Sequence, residues 1–478
     1  MTEEKYKWQL TTDFIMIVGK YLESPRDFIN VMKVCKRYIE LVSMYKFNPI
    51  SDISLFERIQ TQHFYKREDI KKKKKGMYQY IHWYKDYNSK DVINNNDIFK
   101  RLQCKTTQLI DNEGCVNVPE LISGIYDNEH EEHREVLNVK FNKRIKEIGN
   151  NSFKRSCIEN IEIPEGVTKI GKCSFEECLQ LTNITLPSIL KEIGDYAFRY
   201  TKISSINIPE GVTKINDYCF SKCKQLTNIV LPSSLKEIGN YPFEYTNISS
   251  LTIPEGVTNM NIDCLSNCSK LTNIILNTNN LKQIGCCFCN SNIKEFIVPE
   301  GVTLLDYSCF EECSQLTKIT LPNTIKKIEK YAFYKSSINN IIIPEGVTFL
   351  GFSSFEDCTS LTNIVLPSSL NYLQLATFKN TRITSIIIPE GITSIEKECF
   401  KNCTCLKQVI LPNSLINLGN ESFKNTGITT ITIPKFVKSI GTECFCKCEK
   451  LCSVLLLTNI LNIENCFDKN TILIKPGN

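Results

Sequence analysis

The side chains in this chain best suited to chemistry are its thiols. Twenty-four cysteines occur in 478 residues, and some crowd together as Cys286-Cys287-x-Cys289, Cys403-x-Cys405 and Cys444-x-Cys446-x-Cys448. Thiolates at such density could ligate a metal or cycle between thiol and disulfide, but these spacings are not the two paired C-x-x-C units of a structural zinc site. His130-Glu131-Glu132-His133 is one residue short of the H-E-x-x-H that sets two imidazoles on one helical face, and it reads as an exposed acidic junction. Lys71–Lys75, followed by Tyr78, Tyr80, Trp83, Tyr84 and Tyr87, has the basic and aromatic content that grips single strands, and equally that of a solvated lysine loop beside a small aromatic core. With a net charge of only +5, the chain has no global signature for a polyanion, and nucleic acid is not an expected partner. The four histidines, His63, His82, His130 and His133, all precede the region described next. No G-x-S-x-G and no phosphate-binding glycine loop is present. The expectation is a protein that is not an enzyme, with no catalytic residues, no cofactor and no metal.

The elements that position these residues are set by a clock. Pro164, Pro209, Pro254, Pro299, Pro344, Pro389 and Pro434 are each 45 residues apart, and six of them sit in Ile/Val-Pro-Glu-Gly-Val/Ile-Thr. A second proline phrase falls between them at Pro187, Pro232, Pro322, Pro367 and Pro412, with Asn277 and Leu457 holding its column elsewhere. The steps alternate 23 and 22 residues, so one coil of a stacked solenoid is half the period. About fifteen coils fit between Phe141 and Leu457, an array about 70 Å long at ~4.8 Å per stacked strand.

Each coil opens on L-x-x-I-x-L, such as Leu181, Ile184 and Leu186, whose last two apolar residues alternate as a short strand does. Proline ends the strand. Pro-Glu-Gly-Val reads as a turn in which Gly166 supplies freedom in φ. An aromatic column follows from Phe153 to Phe445, interrupted only by Leu265. The cysteines fall into the same register: Cys178, Cys223, Cys268, Cys313, Cys358, Cys403 and Cys448 form one column, and Cys219, Cys264, Cys309, Cys399 and Cys444 a second. Cysteine behaves as a small buried hydrophobe, and same-column residues two coils apart lie about 10 Å from each other, beyond disulfide reach. Packing, not metal or redox chemistry, is the reading, and so many unpaired thiols point to a reducing compartment.

The stretch from Ile163 to Phe198, IPEGVTKIGKCSFEECLQLTNITLPSILKEIGDYAF, resembles the BspA-like (Treponema pallidum-type) leucine-rich repeat family. The resemblance covers 133–478 and implies a leucine-rich solenoid with short parallel strands. Members occur in bacteria and anaerobic protists, and some are surface adhesins.

Residues 1–107 lack the repeat, and 108–132 read as a junction. Asp13 is a plausible N-cap for a helix over Phe14–Leu22, Ser24-Pro25 opens a second, and Ser54–Gln62 is also helix-like, giving an α+β chain with a small, mainly helical N-terminal domain. Within about 12–42, Phe14, Val18, Leu22, Pro25, Phe28 and Val31 follow a pattern similar to an F-box, the helical hairpin that docks on the adaptor of cullin-type ubiquitin ligases. Thr11-Thr12 stand where that motif usually opens with Leu-Pro, and a plain helical cap fits the same residues. Met1–Lys7 is not a signal peptide, no apolar run reaches membrane-span length, and Thr2 replaces the glycine that myristoylation needs; the expected location is the cytoplasm.

A partner would meet the strand face, where residues flanking the central isoleucine point outward. One outward column is polar and includes Asn228, Asn273, Asn340 and Asn363. The next turns aliphatic at Val230, Ile275, Ile297, Ile342, Val365, Ile387 and Ile410. Aligned exposed aliphatics mark interaction sites, although β-branched residues also suit strands for their own sake. The sequence thus predicts a protein-interaction scaffold whose partner it does not name. Alternatives are an F-box-type substrate receptor docking a ubiquitin-ligase adaptor and, by family analogy, a surface adhesin.

Overall fold

The computed structural model describes residues 61–64, 79–82, 97–99, 103–118, 123–126, 132–277, 280–458, 460, 463 and 465–475. Three backbone ladders run along the array. The first, on the strand face, consists of strands of three or four residues from Cys115–Asn117 to Ile472–Ile474, and in all but the last, which is exposed throughout, the central apolar residue turns inward, as Ile341 does in Asn340–Ile342. The second joins two-residue strands such as Glu147–Ile148, Lys169–Ile170 and Glu192–Ile193 in parallel register. Between the two, proline closes a tight turn: the Val167 N–H donates to the Pro164 carbonyl at 2.9 Å and the Leu190 N–H to that of Pro187 at 3.1 Å.

The third ladder was not evident from the sequence. In the turns around the phenylalanines, alternate N–H groups donate to the next coil: Cys173 to Asp195, Phe175 to Ala197 and Glu177 to Arg199, at 2.8–2.9 Å. Alternation of this kind requires left-handed backbone at non-glycine residues, here Cys173 (φ 55°) and Glu177 (φ 58°), and it recurs at Tyr196 and Tyr200 and at Tyr218 and Lys222. Left-handed backbone costs roughly 1–2 kcal/mol per residue, and the inter-coil hydrogen bonds offset it.

The core lies between the ladders. Phe153, Phe175, Phe198, Phe220 and Phe243 stack at 5.3–5.9 Å, and the stack resumes from Phe288 to Phe467. Leu265 interrupts it; two coils on, Phe296 replaces the strand's central aliphatic and packs 5.0 Å from Phe288 and 5.1 Å from Phe310.

Several expectations need correction. The array does not begin at residue 133: Gln103–Lys105 and Gly124–Tyr126 already stack on Glu147–Ile148, and Cys115–Asn117 pairs with Asn138–Lys140, so 108–132 contains coil structure, and Val118-Pro119-Glu120, 45 residues before Pro164, is an earlier beat of the same clock. Gly166 does not adopt positive φ. Glycine is required there because a Cβ would lie 2.9 Å from the Ile145 carbonyl oxygen; positive φ occurs later in the same phrase, at Gly346 (φ 120°). His133 is fully buried rather than part of an exposed junction. Thr61–Phe64 is a strand, parallel to Gln79–His82, which pairs in turn with Asp97–Phe99, so the helix expected over Ser54–Gln62 does not extend to its end. Among the described residues the chain is a parallel β-solenoid with no α-helix, and the helices expected over Phe14–Leu22 and from Ser24-Pro25, on which the α+β class rests, lie outside them. The hairpin over 12–42, with Phe14, Val18, Leu22, Pro25, Phe28 and Val31, lies outside the described residues.

Candidate partner-binding face

The strand face carries a regular interruption. From Cys115 to Leu456, every hydrogen-bonded pair joins strands 23 residues apart, such as Asn183–Thr185 with Asn160–Glu162 and Asn363–Val365 with Asn340–Ile342. Strands separated by the 22-residue step are not paired. The alternation read from the prolines is therefore an alternation of closed and open junctions. Grooves lie at three of the open ones: about 740 Å³ between the strands bearing Val230 and Thr252, about 620 Å³ between those bearing Thr320 and Ile342, and about 390 Å³ between those bearing Ile410 and Thr432.

Beside these grooves stands the predicted aliphatic column. Ile297, Ile342 and Ile387 are 73%, 72% and 67% exposed, and Val230, Ile275, Val365 and Ile410 are also exposed. The cross-strand pairing sets Ile342 beside Val365 and Ile387 beside Ile410. In the coils before Val230 the same column carries Glu162, Thr185 and Asn207, so the apolar stripe begins partway along the array. The polar column also lies where the spacing put it: Asn228, Asn273, Asn340 and Asn363 are exposed, and Asn363 Nδ2 donates to Asn340 Oδ1 at 2.9 Å. Glu295 and Lys318 are the only charged residues of that column between Asn183 and Ser453, cross-strand neighbours in register.

One group along this face was missed. The glutamates of the Pro-Glu-Gly turns hold the following turn in place: Glu165 accepts from the Ser188 N–H (3.0 Å) and hydroxyl (2.9 Å), Glu210 from Ser233, and Glu345 from Ser368. These bonds hold the Glu210 carboxyl below its usual range, and those from Asn413 and Ser414 do the same for Glu390. The signal was available, since serine or asparagine lies 23 residues after the glutamate in each case.

The thiols are structural. Cys178, Cys223, Cys268, Cys313, Cys358, Cys403 and Cys448 are buried, and each donates to the carbonyl of a phenylalanine 25 residues earlier at 2.9–3.1 Å. Between them, in the alternate coils, stand buried hydroxyls, with Thr201 3.3 Å from the Cys223 sulfur and Thr381 3.2 Å from that of Cys403. Burial pushes the Cys223 and Cys268 thiols up to about 11. In the second column the two-coil separation fails: Cys287 stands between Cys264 and Cys309 in consecutive coils, all fully buried, and Cys466 follows Cys444. Every described cysteine is a free thiol, and among the described residues no cluster of three or more His, Cys, Asp or Glu is arranged to hold a metal.

Comparison with known proteins agrees with this architecture. Residues 115–224, 191–286, 285–404 and 374–475 match the family described as BspA type Leucine rich repeat region. A leucine-rich repeat protein from Bacteroides ovatus is similar in structure (TM-score 0.59, 25% identity), with 77% of this chain and 93% of that one covered. A leucine-rich repeat protein from Eubacterium ventriosum matches at TM-score 0.46 and 21% identity, over 76% and 95% of the two chains. No curated protein matches the chain.

Proposed function

We propose that this chain, which belongs to the BspA-type leucine-rich repeat family, is a non-enzymatic scaffold that captures a protein partner on its strand face. The observation that carries the reading is the aliphatic column: seven large apolar side chains, Val230, Ile275, Ile297, Ile342, Val365, Ile387 and Ile410, exposed along one side of a ladder. Apolar surface aligned in this way favours a partner that removes it from water, at about 25 cal/mol per Å² of apolar area covered. Polar amides beside the column supply directional hydrogen bonds. Buried free thiols throughout the coils support work in a reducing compartment such as the cytoplasm.

The test is the combined substitution Ile342→Asn, Ile387→Asn and Ile410→Asn. The far-ultraviolet spectrum and melting temperature should stay close to those of the native chain, and a protein captured by the native chain from cell extract should be lost. Undiminished capture would remove the strand face from the reading. Docking of Phe14, Val18, Leu22, Pro25, Phe28 and Val31 on a ubiquitin-ligase adaptor is a separate part of the reading, supported by their F-box-like spacing. Failure of the full chain to co-purify with that adaptor under native conditions, with strand-face capture intact, removes this part alone.

A further inference from the structure

We infer that the strand face takes an extended basic polypeptide in the polyproline II conformation, lying along the array with apolar or proline side chains on the aliphatic column and a Lys or Arg at every third residue. The inference rests on the scaffold reading above and specifies its partner.

The charge comes from the glutamates of the Pro-Glu-Gly turns. Glu165, Glu210, Glu255, Glu300, Glu345 and Glu390 are all exposed, and among the described residues none of them makes an ion pair. Several carboxylates elsewhere in the array are paired, as Glu176 is with Lys154 and Arg199, Glu237 with Lys214 and Glu398 with Lys379 and Lys401. Glu210 and Glu255 line the same groove as Val230 and Thr252, so carboxylate and aliphatic surface face one occupant. The aliphatic column brings no opposing charge.

The conformation comes from the period. The glutamates and the open junctions both recur every 45 residues, two coils, which is about 9.6 Å along the array. A polyproline II helix repeats every three residues at about 3.1 Å each, or about 9.3 Å per turn, and returns every third side chain to the same side. Over four periods the mismatch accumulates to about 1.2 Å, within the reach of a lysine side chain. A β-strand returns a side chain to one face about every 6.7 Å and an α-helix turns every 5.4 Å, so neither keeps step with the face. A polyproline II segment has no internal backbone hydrogen bonds, and the exposed amides of Asn228, Asn273, Asn340 and Asn363 offer it donors and acceptors.

The test measures fluorescence anisotropy of labelled (Pro-Pro-Lys)5, (Pro-Pro-Glu)5 and (Gly-Ser-Lys)5 against the full chain. The lysine–proline peptide should bind at least about tenfold more tightly than the glycine–serine one, which has equal charge without the preformed helix. The glutamate peptide should not bind, and raising salt from about 50 to about 200 mM should weaken the complex. Combined Glu210→Gln, Glu255→Gln and Glu345→Gln should lower affinity at least about fivefold, as should the Ile342, Ile387 and Ile410 substitutions. Equal binding of the two lysine peptides means simple charge attraction and overturns the inference. If (Pro-Pro-Lys)5 does not bind but capture of a protein from extract still depends on the isoleucines, the scaffold reading stands and this one falls. If neither occurs, both fall.

Discussion

The turn column and the strand face are stacked from the same coils, yet they treat their side chains in opposite ways. In the turns, phenylalanines stack ring on ring, buried thiols alternate with buried hydroxyls over a shared carbonyl, and surface charges interlock, with Lys401 2.8 Å and Lys424 2.9 Å from Glu421. On the strand face, isoleucines stand in water, half the strand junctions are open, and a row of carboxylates makes no ion pair among the described residues. The difference separates two meanings of periodicity. In the turns the repeat specifies contacts between neighbours, because a coil cannot be buried without the next. On the face it specifies only position, and the groups set there are left for something outside the array.

The contrast should show first in stability. Phe333→Ala removes a fully buried ring stacked between Phe310 and Phe355, and urea unfolding should report a loss of about 3–5 kcal/mol. A loss below about 1 kcal/mol would mean that this ring is not held in a close-packed core.

Alkaline pH should act on the same column. Burial pushes Cys223 and Cys268 up to about 11 and Cys178, Cys313, Cys358 and Cys403 up to about 12, above the ordinary thiol value of about 8.5. The folded chain therefore holds these protons more tightly than the unfolded chain. Their stabilisation is complete below about pH 8.5 and is lost as pH rises through about 11 to 12, so the melting temperature should fall over that window. At pH 8 a thiol-specific reagent should modify the exposed Cys452 before these residues, which should react only on unfolding.

A single thiol should matter less. Cys313→Ala leaves the Phe288 carbonyl without its S–H donor and the Ser291 hydroxyl without its neighbour, for about 1–3 kcal/mol. Cys313→Ser, which keeps a donor, should recover part of that, and equal losses for the two would reduce the thiol to a space-filler.

On the strand face the effect should be smallest. Ile342→Asn, Ile387→Asn and Ile410→Asn should each change stability by no more than about 0.5 kcal/mol by thermal melting. A cost near that of Phe333→Ala would show that the column is internal packing and erase the distinction between the two regions.

Much of this architecture was legible in the sequence because stacking converts position in the chain into position in space. The proline clock placed Ile342 and Asn340 on the outer face and Cys313 in the core from spacing alone. The clock failed where residue identity carries no backbone signal. Nothing about Tyr196 or Lys222 announces a left-handed φ, since the demand comes from hydrogen bonds to the next coil. The coils at 103–126 keep Val118-Pro119-Glu120 in register but not the Gly-Val-Thr that completes the phrase, and so they read as domain and junction. The glutamates looked like turn composition, because their partners lie a full coil away.

The alternation of thiol and hydroxyl has a consequence for how such a chain can grow or shrink. Excising one coil would set Cys223 against Cys268, or Thr201 against Thr246, and would leave two open junctions or two closed ones side by side. Excising two restores both patterns. Parity, and not only length, is inherited along this molecule, and its indivisible increment is the pair.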